Sequence, residues 1–156
     1  MRLIDLINED TIIPSLGGVT RDEVIAELVD VLVQRELLRP DQREAALDAI
    51  LGREASQTTG LGGGVALPHG LCPGVEDVMA VLGVHKAGVD FAAIDGKPVH
   101  LLILLVVPPN RFQAHIRTLA GVARVLNDGR LRGEIVAAGD STTIMDILEA
   151  CEESHV

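Results

Sequence analysis

The segment of this chain with the most chemistry and the least packing runs from Ala55 to Val75. It holds no Asp, Glu, Lys or Arg, but six glycines and two prolines. Glycine lets backbone amides approach a ligand and point together, so Gly60-Leu61-Gly62-Gly63-Gly64 reads as an anion nest with phosphate as its natural guest. Nucleotide motifs fail on spacing. Both glycine triplets, Gly60-Leu61-Gly62 and Gly62-Gly63-Gly64, lack the last glycine of a dinucleotide fingerprint, and Gly96-Lys97 has no glycine five positions upstream. Behind the glycines stands His69, after Pro68. An imidazole in such a loop can itself be the nucleophile, because it titrates near neutrality and one ring nitrogen can attack while a hydrogen bond holds the other.

Composition narrows the classes. The 156 residues carry a formal charge of −10, yet Gly96 to Asn127 contains Lys97, Arg111, Arg117 and Arg124 and no acid. The two phenylalanines, with no Trp or Tyr, leave no platform for stacking bases, and there is no basic run to hold a duplex, so nucleic acid is excluded as a partner. The longest apolar run, Leu101 to Val107, is far short of a bilayer span, and the acid at Asp5 comes too early for a secretory signal, so the expected location is cytoplasmic without membrane insertion. Two cysteines, Cys72 and Cys151, cannot build a disulfide framework or a four-cysteine zinc site, and no metal or cofactor is expected.

The elements that must position the loop follow from periodicity. Thr20-Arg21-Asp22-Glu23 reads as a capping box opening a helix with Val24, Leu28, Val31 and Leu32 on its inner face. Pro40 opens a second helix, which reaches about Arg53 with Ala46, Ala49 and Ile50 inward. Val65 to Leu67 reads as a short strand ended by Pro68. Val78–Val84 and Val99–Val107 read as central strands covered on both faces. Phe112, Ile116, Leu119, Ala123 and Leu126 repeat at helical spacing as far as Asn127-Asp128-Gly129, and Asp140-Ser141 caps a last helix with Ile144, Ile147, Leu148 and Cys151 inward. The sum is one α/β layered domain over residues 1–156.

Arg53-Glu54 followed by Thr59-Gly60-Leu61-Gly62-Gly63-Gly64-Val65-Ala66-Leu67-Pro68-His69 resembles, position by position, the active-site signature of the fructose/mannitol-type enzyme IIA proteins of the bacterial phosphotransferase system, with their nitrogen-regulatory relatives. Phe91 to Val99 is similar to the segment before that family's central strand, and Val107-Pro108 with His115 and Leu119-Ala120 to its second signature. The resemblance implies a compact α/β domain with a mixed sheet flanked by helices. It also implies that His69 receives a phosphoryl group from the phosphohistidine of a small histidine phosphocarrier protein, with Arg53 and His115 in supporting positions. Arg53 would fork N–H groups onto phosphoryl oxygens, His115 would donate to another, and Thr58, Thr59, Gly60, Gly62 and Gly64 would complete the cradle without a metal. Gln57 and Leu71 depart from the family, standing where glycine and a basic residue are common.

Competing readings remain for several of these residues. His115 sits beside Ile116 on an apolar helix face, where a satisfied core histidine is an alternative, and Arg53 at a helix end could serve the helix dipole. His85 and His100 read as structural and His155 as tail. A metal-dependent hydrolase using the histidines is a third class, with Cys72 near His69 its only encouragement. Within the resemblance, a nitrogen-regulatory protein that signals to a target by its phosphorylation state is expected first. The alternatives are a sugar-specific component handing phosphate to an enzyme IIB, and a protein-binding module without phosphotransfer turnover.

Overall fold

The structure, a computed structural model, describes residues 2–154; His155 and the Phe112 side chain lie outside the described residues. In chain order the elements are α1 (Leu3–Leu6), β1 (Ile12–Ile13), α2 (Arg21–Gln34), α3 (Arg43–Ser56), β2 (Gly60–Gly62), β3 (Val65–Ala66), β4 (His69–Leu71), β5 (Met79–Val89), β6 (Val99–Val107), α4 (Phe112–Leu126), α5 (Gly129–Ala137) and α6 (Ser141–Ser154). The six strands form one mixed sheet in the order β1-β5-β6-β3-β2, with β4 added beside β6.

The caps form where expected. The Thr20 hydroxyl accepts the Glu23 amide at 3.2 Å and donates to the Glu23 carboxylate at 3.1 Å, and Asp140 accepts the Thr143 amide at 2.7 Å. Successive β6 side chains point to opposite faces. Leu102, Leu104 and Val106 pack with Leu28, Leu32, Ala46 and Ile50 of α2 and α3. Leu101, Ile103, Leu105 and Val107 pack on the other face with Val122, Leu126, Ile135, Ile144 and Leu148 of α4, α5 and α6. This two-sided burial is why the strand reads as an unbroken apolar run rather than an alternating one.

The structure departs from the sequence reading at several points: β5 runs on to Val89 rather than ending at Val84, and α3 starts at Arg43 after a 3-10 turn at Pro40. The strand broken at Pro68 resumes as β4, because proline lacks only its own N–H: its carbonyl still accepts the Leu105 amide at 3.0 Å, and His69, Gly70 and Leu71 pair in parallel with Leu105, Val106 and Val107. Gly60–Gly62 is a strand rather than open loop. A helix of 9 residues, α5, follows Asp128, whose carboxylate caps the Arg130 and Leu131 amides. Finally, α4 is rotated from the expected stripe: His115, Thr118, Val122 and Leu126 face inward, and Ile116 is 43% exposed.

Candidate phosphoryl-transfer site

His69 opens β4 opposite Leu105. Strand β2 covers β3 only as far as the Leu67 amide, which donates to the Thr59 carbonyl at 3.2 Å, so β4 forms the sheet edge beyond it. Residues paired in parallel register share a face, so the half-buried His69 side chain lies on the side of Leu105, the layer of α4. Its Nδ1 lies 2.8 Å from the Leu67 carbonyl. A carbonyl only accepts, so the ring carries its proton on Nδ1, and Nε2 keeps its lone pair for an electrophile.

Gly70 faces the other way, onto α3. A Cβ there would lie 2.9 Å from the Ile50 amide nitrogen and 3.0 Å from the Ala49 carbonyl carbon, so only glycine admits this approach of helix to strand. The contact sets α3 against the strand that bears His69, and Arg53 lies one turn further along that helix. Arg53 donates from Nη1 to the Gln57 carbonyl at 2.6 Å and pairs with no carboxylate among the described residues. One of its N–H groups is thus committed to the backbone and the rest of the fork stays available. Gln57 enters only through that carbonyl, and its φ of −165° is extended backbone that any residue adopts, which accounts for a non-glycine residue here.

Glu54, quoted in the signature without a role, has a structural one here. It is 2% exposed, and its carboxylate accepts the Thr59 amide at 2.6 Å and the Thr59 hydroxyl at 2.5 Å, tying the end of α3 to the start of β2. Its signal was its place as the last charge before a long neutral stretch.

The threonine hydroxyls do not serve as the expected phosphoryl donors. Each has a single proton, and that of Thr59 goes to Glu54 while that of Thr58 goes to the Phe91 carbonyl at 2.5 Å. The Gly60 amide is likewise taken, donating to the Thr58 hydroxyl oxygen at 3.0 Å. Gly62 and Gly64 sit elsewhere. Val65 pairs with Leu101 and His69 with Leu105, so the glycine turn lies four residues back along β6, about 13 Å at the rise of a strand. The backbone is left-handed at Gly62, Gly63 and Gly64, but this turn does not surround His69.

His115 stands in the first turn of α4, which starts at the end of β6 that carries His69. It is 6% exposed, and neither ring nitrogen has a hydrogen-bond partner among the described residues. This is not the satisfied core histidine of the alternative reading. Burial, and then the Arg111 charge beside it, push its pKa below the usual histidine value of 6.5. Leu71, 39% exposed two residues past His69, and Ile116, beside His115, add apolar surface to this end. Of the other histidines, His85 holds the Gly18 carbonyl from Nε2 at 2.6 Å and His100 the His85 carbonyl from Nδ1 at 3.0 Å, both structural as expected. Cys72 is buried, and no group of three or more His, Cys, Asp or Glu among the described residues is placed to hold a metal ion.

A histidine on a sheet edge with one nitrogen held by a carbonyl and the other free, on a strand packed against the helix that bears an arginine without a counter-acid, has the chemistry of a group carried on imidazole. The chain belongs to the family described as "Phosphoenolpyruvate-dependent sugar phosphotransferase system, EIIA 2", whose model matches residues 5–151. Members of this family are phosphotransferase components that transfer phosphate through a histidine.

Among curated relatives, the nitrogen regulatory protein of Bradyrhizobium diazoefficiens is 30% identical over 95% of both chains. The fructose-specific EIIA component of Haloferax volcanii is 34% identical over 83% of this chain and 82% of that one. The fructose-specific EIIABC component of Bacillus subtilis is 30% identical, but the match spans only 23% of its length. The nitrogen regulatory protein IIA-Ntr of Neisseria meningitidis has the same fold, with a TM-score of 0.84 at 25% identity, covering 94% of this chain and 98% of that one. A similar fold, with a TM-score of 0.77 at 20% identity over 92% of this chain and 97% of that one, is seen in Escherichia coli IIA mannitol in complex with phosphorylated IIB mannitol. No helix among the described residues is long and apolar enough to cross a membrane.

Proposed function

We propose that this chain is a cytoplasmic phosphoryl carrier of the phosphotransferase system in which Nε2 of His69 takes the phosphoryl group from the phosphohistidine of a histidine phosphocarrier protein. The new N–P bond forms at Nε2 as the donor's N–P bond breaks, and the donor imidazole keeps the electron pair. The observation that carries this reading is the 2.8 Å contact between Nδ1 and the Leu67 carbonyl, which leaves Nε2 as the nucleophile. Phosphoryl transfer needs positioning and charge stabilisation more than covalent help. Arg53 supplies the guanidinium, and an oxygen on His69 would satisfy the buried, unpartnered His115 ring, whose protonation an incoming dianion favours against the cost of burial. Exposed Leu71 and Ile116 fit a face that meets partner proteins.

The nitrogen-regulatory branch is the preferred reading, on the 30% identity across 95% of both chains. In that case phosphorylation adds charge that a target protein reads. The second reading, supported by the fructose-specific relatives, passes the group to an enzyme IIB. Incubation with phosphoenolpyruvate and the general carrier proteins should place one acid-labile phosphoryl group on the wild type and none on His69→Ala. Label surviving in His69→Ala would overturn the assignment. Transfer onward to an enzyme IIB separates the sugar-specific reading from the regulatory one.

A further inference from the structure

The glycine turn that sequence reading placed around the phosphohistidine lies at the opposite end of β6, and there it helps to wall a cleft of about 330 Å³. The lining includes Gly63, Gly64, Lys86, His100, Gly129 and Arg132. Three bases meet in one cleft, and neither Lys86 nor Arg132 pairs with a carboxylate among the described residues. The nearby acids are engaged otherwise: Asp95 accepts the Gly63 and Lys97 amides at 3.0 and 3.1 Å, Asp128 caps α5, and Glu134 pairs with Arg130 at 3.4 Å.

Both cations are held in place by backbone. Lys86 donates from Nζ to the carbonyls of Val136 and Ala138, and Arg132 from Nη1 to the Leu126 carbonyl at 2.8 Å. An ammonium has three N–H groups and a guanidinium five, so each keeps donors in hand after these contacts. Gly63 is what lets the guanidinium lie there. At its φ of +67°, a Cβ would meet Nη2 at 2.9 Å and Cζ at 3.0 Å, so any side chain would push Arg132 off the turn. Gly129 bounds the same group on the other side, with Nη2 at 3.4 Å from its Cβ position. The guanidinium is therefore oriented before any ligand arrives, which reduces the entropy lost on binding.

We propose that this cleft is a second anion site, separate from His69, that binds the phosphate group of a small phosphomonoester or free phosphate. The planar fork of Arg132 suits two phosphate oxygens and Lys86 a third. The cleft volume accommodates a small metabolite and not a nucleotide chain. The inference does not depend on phosphotransfer at His69.

The test is a titration of the 156-residue chain with inorganic phosphate, glycerol 3-phosphate and succinate, read on the backbone amides of Gly63, Gly64, Gly129 and Gly133 by nuclear magnetic resonance. Phosphate or its ester should shift these amides saturably, and His69→Ala should leave the curve unchanged. Arg132→Gln and Lys86→Gln should each weaken binding by about tenfold or more, the scale of a lost charge-assisted hydrogen bond. Arg130→Gln, with the same change of charge outside the cleft, should not. Tighter binding of the ester points to a metabolite, and equal or weaker binding points to free phosphate. Absence of saturation, equal weakening by Arg130→Gln, equal binding of succinate, or shifts abolished by His69→Ala would each overturn the proposal. Phosphorylation of His69 in the Arg132 and Lys86 variants reports that they are folded. If Arg132→Gln fails that check, Lys86→Gln decides.

Discussion

The two ends of β6 are furnished with the same residue types and put them to different use. At the Leu105–Val107 end, an edge histidine has one nitrogen free, Arg53 lacks a counter-acid, and His115 is buried without a partner. At the Leu101 end, Lys86 and Arg132 are anchored by carbonyls, and the Gly64 carbonyl accepts both the His100 and Leu101 amides at 2.9 Å. The first end keeps a free ring nitrogen and a buried ring without a partner. The second has two cations fixed by three contacts to carbonyls. Glycines crowd the second although the nucleophile is at the first, so a glycine run marks where the chain must turn tightly, and the phosphoryl chemistry lies where strand β4 restarts after Pro68.

This contrast can be broken or sharpened by substitution. The largest expected effect is at Arg53: Arg53→Gln should slow phosphorylation of His69 about 100-fold, the scale of a lost transition-state donor, in a phosphotransfer time course. An equal loss in Arg132→Gln would erase the distinction between the ends. Next is Gly70→Ala, which forces a methyl into the Ala49–Ile50 backbone. It should cost about 1–3 kcal/mol in urea unfolding and slow phosphorylation too, because α3 carries Arg53.

A pH effect of intermediate size belongs to His115. Its folded pKa is lowered, so below the reference value of 6.5 the unfolded chain binds a proton that the folded chain refuses. This contribution is whole above pH 6.5 and is lost as pH falls through that value toward the lowered one, with a slope of at most about 1.4 kcal/mol per pH unit. Stability curves of wild type and His115→Gln should diverge in that direction, and parallel curves would reject the buried, neutral ring. Smallest is Gly63→Ala, with a left-handed φ and the Arg132 guanidinium in the way. It should cost about 1 kcal/mol and leave the rate of His69 phosphorylation unchanged.

Much of this was legible in advance because it is local. Thr20 and Asp140 cap their helices through amides within three residues, and β6 reads as central because every residue from Leu101 to Val107 is apolar. Less legible were contacts between distant segments. Ile116 belongs to an apolar stripe by spacing, yet α4 turns His115, Thr118 and Val122 inward, because helix periodicity sets which residues share a face and not which face the protein covers. Strand β4 is three residues long, and only its pairing with Leu105, Val106 and Val107 makes it a strand.

The sequence by itself determined the α/β class, the family signature and the identity of His69 as the candidate acceptor, since these rest on residue types and short spacings. The tertiary structure alone decided which nitrogen of His69 is free, which hydroxyls were already committed, and that Gly62 and Gly64 lie about 13 Å along the sheet from the histidine they precede. The Thr58 hydroxyl and the strand register depend on segments brought together only by folding, and the short-range His69–Leu67 and Thr59–Glu54 contacts depend on backbone geometry that residue types alone do not specify. Neighbours in sequence can therefore end at opposite ends of one strand.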